Sequence, residues 1–194
     1  KNKKFVSLFS NPIAGKTIIV VGTGSLGGAM IRLLAPLGPN IIGVNRKGRA
    51  VEGCSKVITV DKIDSVLPEA DILYLATPET PETKNLISRE RLGLLKPSCG
   101  VVNIGRQSSI DYDALCEKLK AEKIAGAVLD VFGKEPIESD SKLWEIPNLI
   151  ITPHVSADDG ESYVKLTLEL FVKNLKLFIA NKPPVNQIDK KLGY

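Results

Sequence analysis

The chain has 194 residues, 43% of them hydrophobic, 25% charged and 5% aromatic, with a formal net charge of +4. That balance is ordinary for one large or two small soluble globular domains. The positive charge is dispersed, with Lys1, Lys3 and Lys4 at one end and Lys190 and Lys191 at the other, and aromatics are few, so no nucleic-acid partner is expected. No run of 18 apolar residues is present and no signal-peptide pattern opens the chain, so no membrane partner is expected either. Cys54, Cys99 and Cys116 are odd in number and lack C-x-x-C spacing, which argues against a disulfide framework and against a metal site. A reducing, cytoplasmic setting is expected. The sequence opens at Lys1 and carries one methionine, Met30, as a piece of a longer chain would.

Lys1–Ala14 reads as a basic lead-in, with a turn at Asn11-Pro12. Lys16–Val21 is a β-branched apolar run of the kind found in buried parallel strands. It breaks at Gly22-Thr23-Gly24-Ser25-Leu26-Gly27. Leu26, Met30, Leu33, Leu34 and Leu37 follow at helical spacing, and Pro36 and Gly38-Pro39 end that helix. Ile41–Val44 is a second strand. A G-x-G-x-x-G between a strand and a helix, leading to a second strand, is the context of a dinucleotide-binding turn. Gly22 permits the tight turn, Gly24 lets the backbone approach a pyrophosphate, and Gly27 lets helix and strand pack closely. The helix N-terminus then holds the anion.

The rest of the chain alternates in the same way. Val57–Val60, Asp71–Ala76, Gly100–Ile104, Ile124–Val131 and Leu149–Thr152 read as strands. A short helix is expected over Asp61–Ala70, capped by Asp61 or Asp64, another from Ser88 to Leu95, and a third capped by Asp111 with Ala114, Leu115 and Leu119 on one face. The implied fold is a Rossmann-type, doubly wound parallel sheet with helices on both faces. A last helix, Glu161–Ala180, carries Val164, Leu168, Phe171, Leu175 and Phe178 as one stripe with Leu166, Leu170 and Leu177 beside it. That apolar face is wider than one contact needs.

Ligands bind such sheets at the carboxyl ends of the strands, and the chemically interesting residues fall there. At the end of the second strand an acid would accept hydrogen bonds from a ribose 2′-OH and repel a 2′-phosphate. This chain has Asn45 instead, then Arg46 and Lys47, with Arg49 close behind, so NADP(H) is expected over NAD(H). Arg106 follows VVNIG, Asp130 and Glu135 lie in LDVFGKEP, and His154, the only histidine, follows LIITP. An imidazole suits general acid–base work, a neighbouring carboxylate would fix its tautomer, and a guanidinium can clamp a substrate carboxylate.

VVGTGSLGG, LATPETPETKNLIS, VVNIGR, IAGAVLDVFGKEP, LWEIPNLIITPH and NLKLFIANKPPVN occur in one order over Ala14 to Asp189. Together they resemble the nucleotide-binding domain of the D-isomer-specific 2-hydroxyacid dehydrogenases. The resemblance implies catalytic Arg106, Glu135 and His154, with Asp130 at the nicotinamide carboxamide. It also implies pyrophosphate contacts from the backbone of Ser25 and Leu26, with Thr77, Pro78 and Ile104 lining the cofactor's path. It further implies a small 2-oxo or 2-hydroxy acid as substrate and a homodimer. Gln107 departs from the glycine that usually follows the arginine, and Asn45 from the usual acid. The N-terminal part of the family's substrate domain has no counterpart here. The expected division is therefore 1–13 as lead-in from that lobe, 14–155 as the dinucleotide-binding domain, and 156–194 as a helix and tail returning toward the lobe. A nucleotide-sensing, corepressor-like binding protein is the alternative within the same fold. Formate dehydrogenases carry Gln where this chain has Glu135.

Overall fold

A computed structural model describes residues 11–189; the first ten residues of the expected lead-in lie outside it. The sheet has seven strands, all parallel. They are β1 Thr17–Val21, β2 Asn40–Val44, β3 Lys56–Ile58, β4 Ile72–Leu75, β5 Gly100–Asn103, β6 Gly126–Leu129 and β7 Leu149–Ile151. Their spatial order is β3-β2-β1-β4-β5-β6-β7. The sequence reading placed every one of these strands, although all but β2 are shorter than expected. Among the described residues four α-helices accompany them: α1 Ser25–Leu34, α2 Arg89–Leu94, α3 Tyr112–Lys120 and α4 Tyr163–Ile179.

Side-chain alternation along the strands builds two cores. Ile18, Val20, Ile41 and Tyr74 face α1 and bury Ile31. Ile19, Val21, Ile42, Val44, Leu73, Leu75, Val101 and Leu129 face the opposite side, under Leu92 of α2 and Ala114, Leu115 and Leu119 of α3. A residue shift in any of these strands would exchange the two sets, so the register is strongly fixed. Ser88 caps α2 by accepting from the Arg91 N–H, and Asp111 caps α3 by accepting from the Ala114 N–H, as their positions in the sequence suggest.

Of the apolar residues at helical spacing, Met30 and Leu34 pack against the α1-side core, while Leu33 and Leu37 are exposed; Gly27, Gly28 and Ile31 are the buried residues of α1. Two expectations need correction. The 61–70 segment is two 3₁₀ turns, Val60–Ser65 and Leu67–Glu69, because Pro68 cannot continue a helix. Neither aspartate caps it; Thr59 holds the first position, and Asp64 instead pairs with Arg91 at 2.6 Å. The turn expected at Asn11-Pro12 falls slightly later, where the Lys16 N–H reaches the Ile13 carbonyl at 3.0 Å.

No residue of α4 is buried. Its stripe lies open, from Val164 at 66% exposure to Phe178 at 75%. No helix among the described residues is long and apolar enough to cross a membrane.

Candidate nucleotide site and acid–base pair

Strand order reverses direction between β1 and β4, and in open parallel sheets that switch point opens a crevice beyond the strand ends. The glycine turn lies there. Gly22 has φ +89°, and a Cβ on it would stand 2.7 Å from the Ala76 carbonyl oxygen. A Cβ on Gly27 would stand 1.9 Å from the Gly22 carbonyl oxygen, so helix and turn touch backbone to backbone. Gly24 has nothing within 4 Å of its added Cβ, which leaves its backbone open to a ligand. Gly24 also occupies the N-cap of α1, and no side chain caps that helix or places an acid in its first turn. The N–H groups of Ser25, Leu26 and Gly27 are thus those of an uncapped helix start, the usual seat for a phosphate.

The far wall comes from the ends of β4 and β5. A Cβ on Gly105 would meet the Thr77 backbone at 2.7 Å, so the Thr77-Pro78 and Ile104-Gly105 segments stack directly. Thr77 Oγ1 is the one buried side-chain oxygen or nitrogen without a hydrogen-bond partner among the described residues. Thr77 packs against Gly22, so its orphaned hydroxyl lies by the glycine turn, as a group that a polar ligand across this crevice would complete. The residues therefore fit a dinucleotide.

Beyond β2, Asn45 is fully engaged with protein. Its Nδ2 donates to Thr23 Oγ1 and to the Arg49 carbonyl, both at 3.0 Å. Its Oδ1 accepts from the N–H groups of Lys47 at 3.2 Å and Arg49 at 3.1 Å.

Arg106 follows β5, while Glu135 and His154, which follow β6 and β7, are brought into direct contact. Glu135 Oε2 lies 2.8 Å from His154 Nδ1, and Glu135 Oε1 accepts from the Phe132 N–H at 2.7 Å. These two bonds hold the Glu135 carboxyl below its usual range. The carboxylate therefore persists at neutral pH, and the stability it contributes is lost as pH falls through that lowered value. His154 has φ +56°, a left-handed backbone that a histidine adopts at a cost. Asp130, 1% exposed, supplies the compensation. Its Oδ1 accepts from Thr152 Oγ1 at 2.5 Å and the Val155 N–H at 3.0 Å, and its Oδ2 from the Ser156 N–H at 3.0 Å. Burial opposes the charge on Asp130, but these bonds outweigh it and lower its pKa. The carboxylate thus pins the 152–156 segment on both sides of His154. Beside the pair is an open pocket of about 480 Å³, lined by Phe132, Pro136, Ile137, Trp144 and Pro153 among others.

Arg106 is exposed and spends one donor on the Gly105 carbonyl at 2.7 Å. Its own carbonyl accepts from Asn103 Nδ2 at 3.1 Å and from Ser109 Oγ at 2.7 Å. Asn103 Nδ2 also donates to the Tyr112 hydroxyl at 3.3 Å, which in turn donates to the Val131 carbonyl at 2.6 Å. Burial pushes the Tyr112 phenol well up, so it remains a neutral donor at any ordinary pH. This chain ties the arginine's turn to the segment leading into Glu135. Sequence reasoning missed Asn103, Tyr112, Thr23 and Thr152, because each acts on a partner supplied by another loop. Among the described residues no cluster of His, Cys, Asp and Glu could hold a metal ion.

Comparisons with known proteins agree with this geometry. The family model described as D-isomer specific 2-hydroxyacid dehydrogenase, NAD binding domain, matches residues 1–156. The chain is 34% identical over 178 residues to the glyoxylate reductase of Pyrococcus furiosus, covering 92% of this chain and 52% of that protein. It superposes with TM-score 0.90 and 30% identity on a D-isomer specific 2-hydroxyacid dehydrogenase from Xanthobacter autotrophicus Py2 in complex with NADPH and MES, covering 98% of this chain and 78% of that one. An NADPH-dependent glyoxylate/hydroxypyruvate reductase from Sinorhizobium meliloti, in complex with NADP and sulfate, gives TM-score 0.90 at 29% identity, over 98% of this chain and 61% of that one. The chain spans between 28% and 59% of the length of the curated relatives it matches. It belongs to the D-isomer specific 2-hydroxyacid dehydrogenases, and what it carries is their NAD(P)-binding domain.

Proposed function

We propose that this chain is the cofactor-binding half of an NADP(H)-dependent reductase that converts a small 2-oxo acid, such as glyoxylate, hydroxypyruvate or pyruvate, to a D-2-hydroxy acid. The observation that carries the reading is the His154–Glu135 pair, set at strand ends on the same side of the sheet as the glycine turn. With Nδ1 committed to Glu135, Nε2 is left for the substrate oxygen. His154 donates its Nε2 proton as the alkoxide develops, and Glu135 stabilises the imidazolium that must exist beforehand. Arg106 holds the substrate carboxylate and polarises the ketone. A bound nicotinamide supplies the hydride that the carbonyl carbon receives. Gly22, Gly24, Ser25, Leu26 and Gly27 hold the pyrophosphate; Thr77, Pro78, Ile104 and Asp130 line the path to the ring.

The cation-rich loop Arg46, Lys47 and Arg49 supports NADP(H) as the preferred cofactor, as does the NADPH or NADP bound in the two structural relatives. The full-length protein is expected to reduce at least one of the three acids with kcat/KM at least tenfold higher for NADPH than for NADH, since a charge-assisted phosphate contact is worth about 1.5–3 kcal/mol. Ligand-dependent assembly with negligible turnover would instead identify a nucleotide-sensing binding protein.

The division proposed with this function is 14–155 for the cofactor domain and 156–194 for a segment that returns to a substrate lobe. The open stripe on α4 supports it, because so wide an apolar face is rarely left in water. We place the protein in the cytoplasm, where its free thiols would persist, and as a homodimer. The 194-residue chain alone should bind an apolar dye and scatter light as an associating species. A clean monomer without dye binding would contradict the missing lobe.

A further inference from the structure

We propose that Asn45 is a positioning residue for cofactor choice: it touches no part of the cofactor, but fastens the cation loop Arg46–Arg49 to Thr23 of the glycine turn. The inference rests on the NADP(H) reading above. An asparagine side chain has two N–H donors and two good acceptor sites, and all four are occupied by Thr23 Oγ1, the Arg49 carbonyl and the Lys47 and Arg49 N–H groups. Nothing is left for a ribose hydroxyl. What the amide does is close residues 45–49 into a side-chain-braced turn, with Gly48 at φ +62° to permit the reversal.

The second anchor is built into the sheet. A Cβ on Gly43 of β2 would lie 3.2 Å from Thr23 Cγ2 and 3.1 Å from Cys54 Sγ. The missing side chain at Gly43 is therefore the seat into which the Thr23 methyl packs, leaving its hydroxyl to receive Asn45. The turn that would hold the pyrophosphate and the loop that would hold a 2′-phosphate are joined through one hydrogen bond across 22 residues of sequence. Arg46 faces the loop after β4: the Glu82 carboxyl is lowered mainly by its own backbone N–H and by the Thr80 hydroxyl, with the Arg46 charge contributing. The cations thus stand at the mouth of the crevice on a backbone fixed before any ligand arrives, which reduces the ordering cost of binding.

An aspartate at this position would change more than charge. It has no N–H for the Arg49 carbonyl, so the loop would lose that closure while gaining an acceptor for a ribose hydroxyl.

The test uses the full-length protein with Asn45→Ala, Thr23→Val and Thr23→Ser. Without cofactor, the amide protons of Lys47 and Arg49 should exchange at least about tenfold faster in Asn45→Ala, because their acceptor is gone. The Kd for NADPH should rise about five- to tenfold in Asn45→Ala and Thr23→Val, while that for NADH changes less than about twofold. Thr23→Ser, which keeps the hydroxyl but loses the methyl, should retain more NADPH affinity than Thr23→Val. Unchanged amide exchange, or equal losses for both cofactors, would overturn the positioning role. A wild-type preference for NADH would refute the NADP(H) reading alone, since the exchange measurement judges the loop independently of any cofactor.

Discussion

Replacing His154 with Gln in the full-length enzyme should lower kcat about 10²–10⁴-fold, the usual range for losing a general acid, and leave the Kd for NADPH within about twofold. Glutamine keeps a hydrogen-bonding end near the substrate oxygen but cannot deliver a proton at neutral pH. The cofactor should not notice, because the residues proposed to hold its phosphates follow β1 and β2 and His154 follows β7. Steady-state turnover paired with cofactor titration reads both numbers. Unchanged turnover would remove His154 from the mechanism. An equal loss of cofactor binding would mean that the 152–156 segment, held by Asp130, had come apart.

The second large effect separates two glycines that look alike in the motif. Gly27→Ala puts a methyl 1.9 Å from the Gly22 carbonyl oxygen, a backbone atom that cannot rotate away. Overpacking of this kind costs about 1–3 kcal/mol, and the rigidity of the neighbour argues for the upper end. For a chain of this size that is a fall in Tm of about 6–12 °C. Gly24→Ala places its methyl in open space, with nothing within 4 Å. Its Tm should be within about 2 °C of wild type on the same scale. Its cofactor affinity should nevertheless fall at least about tenfold, because the methyl occupies the space through which a pyrophosphate must approach. Thermal scans with and without NADPH resolve the pair. Equal destabilisation by both changes would show that Gly24 is a packing glycine too.

The strands were legible because each buried run is short, apolar and bounded by turn residues. The glycine turn was legible because its flanks, a β-branched strand and a helix, were. Helix α1 shows the limit of that logic. Of the apolar residues at helical spacing, Met30 and Leu34 pack on the core while Leu33 stays exposed, and the closest packing in the helix is made by Gly27, which contributes no hydrophobic signal at all. In the 61–70 segment, where the sequence suggests one helix, the structure has two 3₁₀ turns with Pro68 in the second.

The candidate site divides in the same way. Arg106, Glu135 and His154 could be named because strand ends collect ligands and because their motifs resemble a family. The bonds that hold them in place could not be. Asp130 was expected to face the nicotinamide; its visible work is to brace the backbone around His154. Asn45 is expected from the sequence to matter by lacking a charge, and the structure shows an amide spent on its own loop and on Thr23 of the glycine turn. Such roles depend on which loops meet, as when Tyr112 bridges Asn103 to Val131, and periodicity carries no record of that.

A crystal structure of the full-length protein with NADPH and a small carboxylate inhibitor tests the central claim most directly. Its phosphates should lie against the Gly22–Gly27 turn and the Arg46 loop, with the nicotinamide ring between the His154 imidazole and the Arg106 guanidinium. A cofactor bound away from the glycine turn, or those two side chains on opposite sides of the ring's binding crevice and out of reach of the inhibitor, would contradict it.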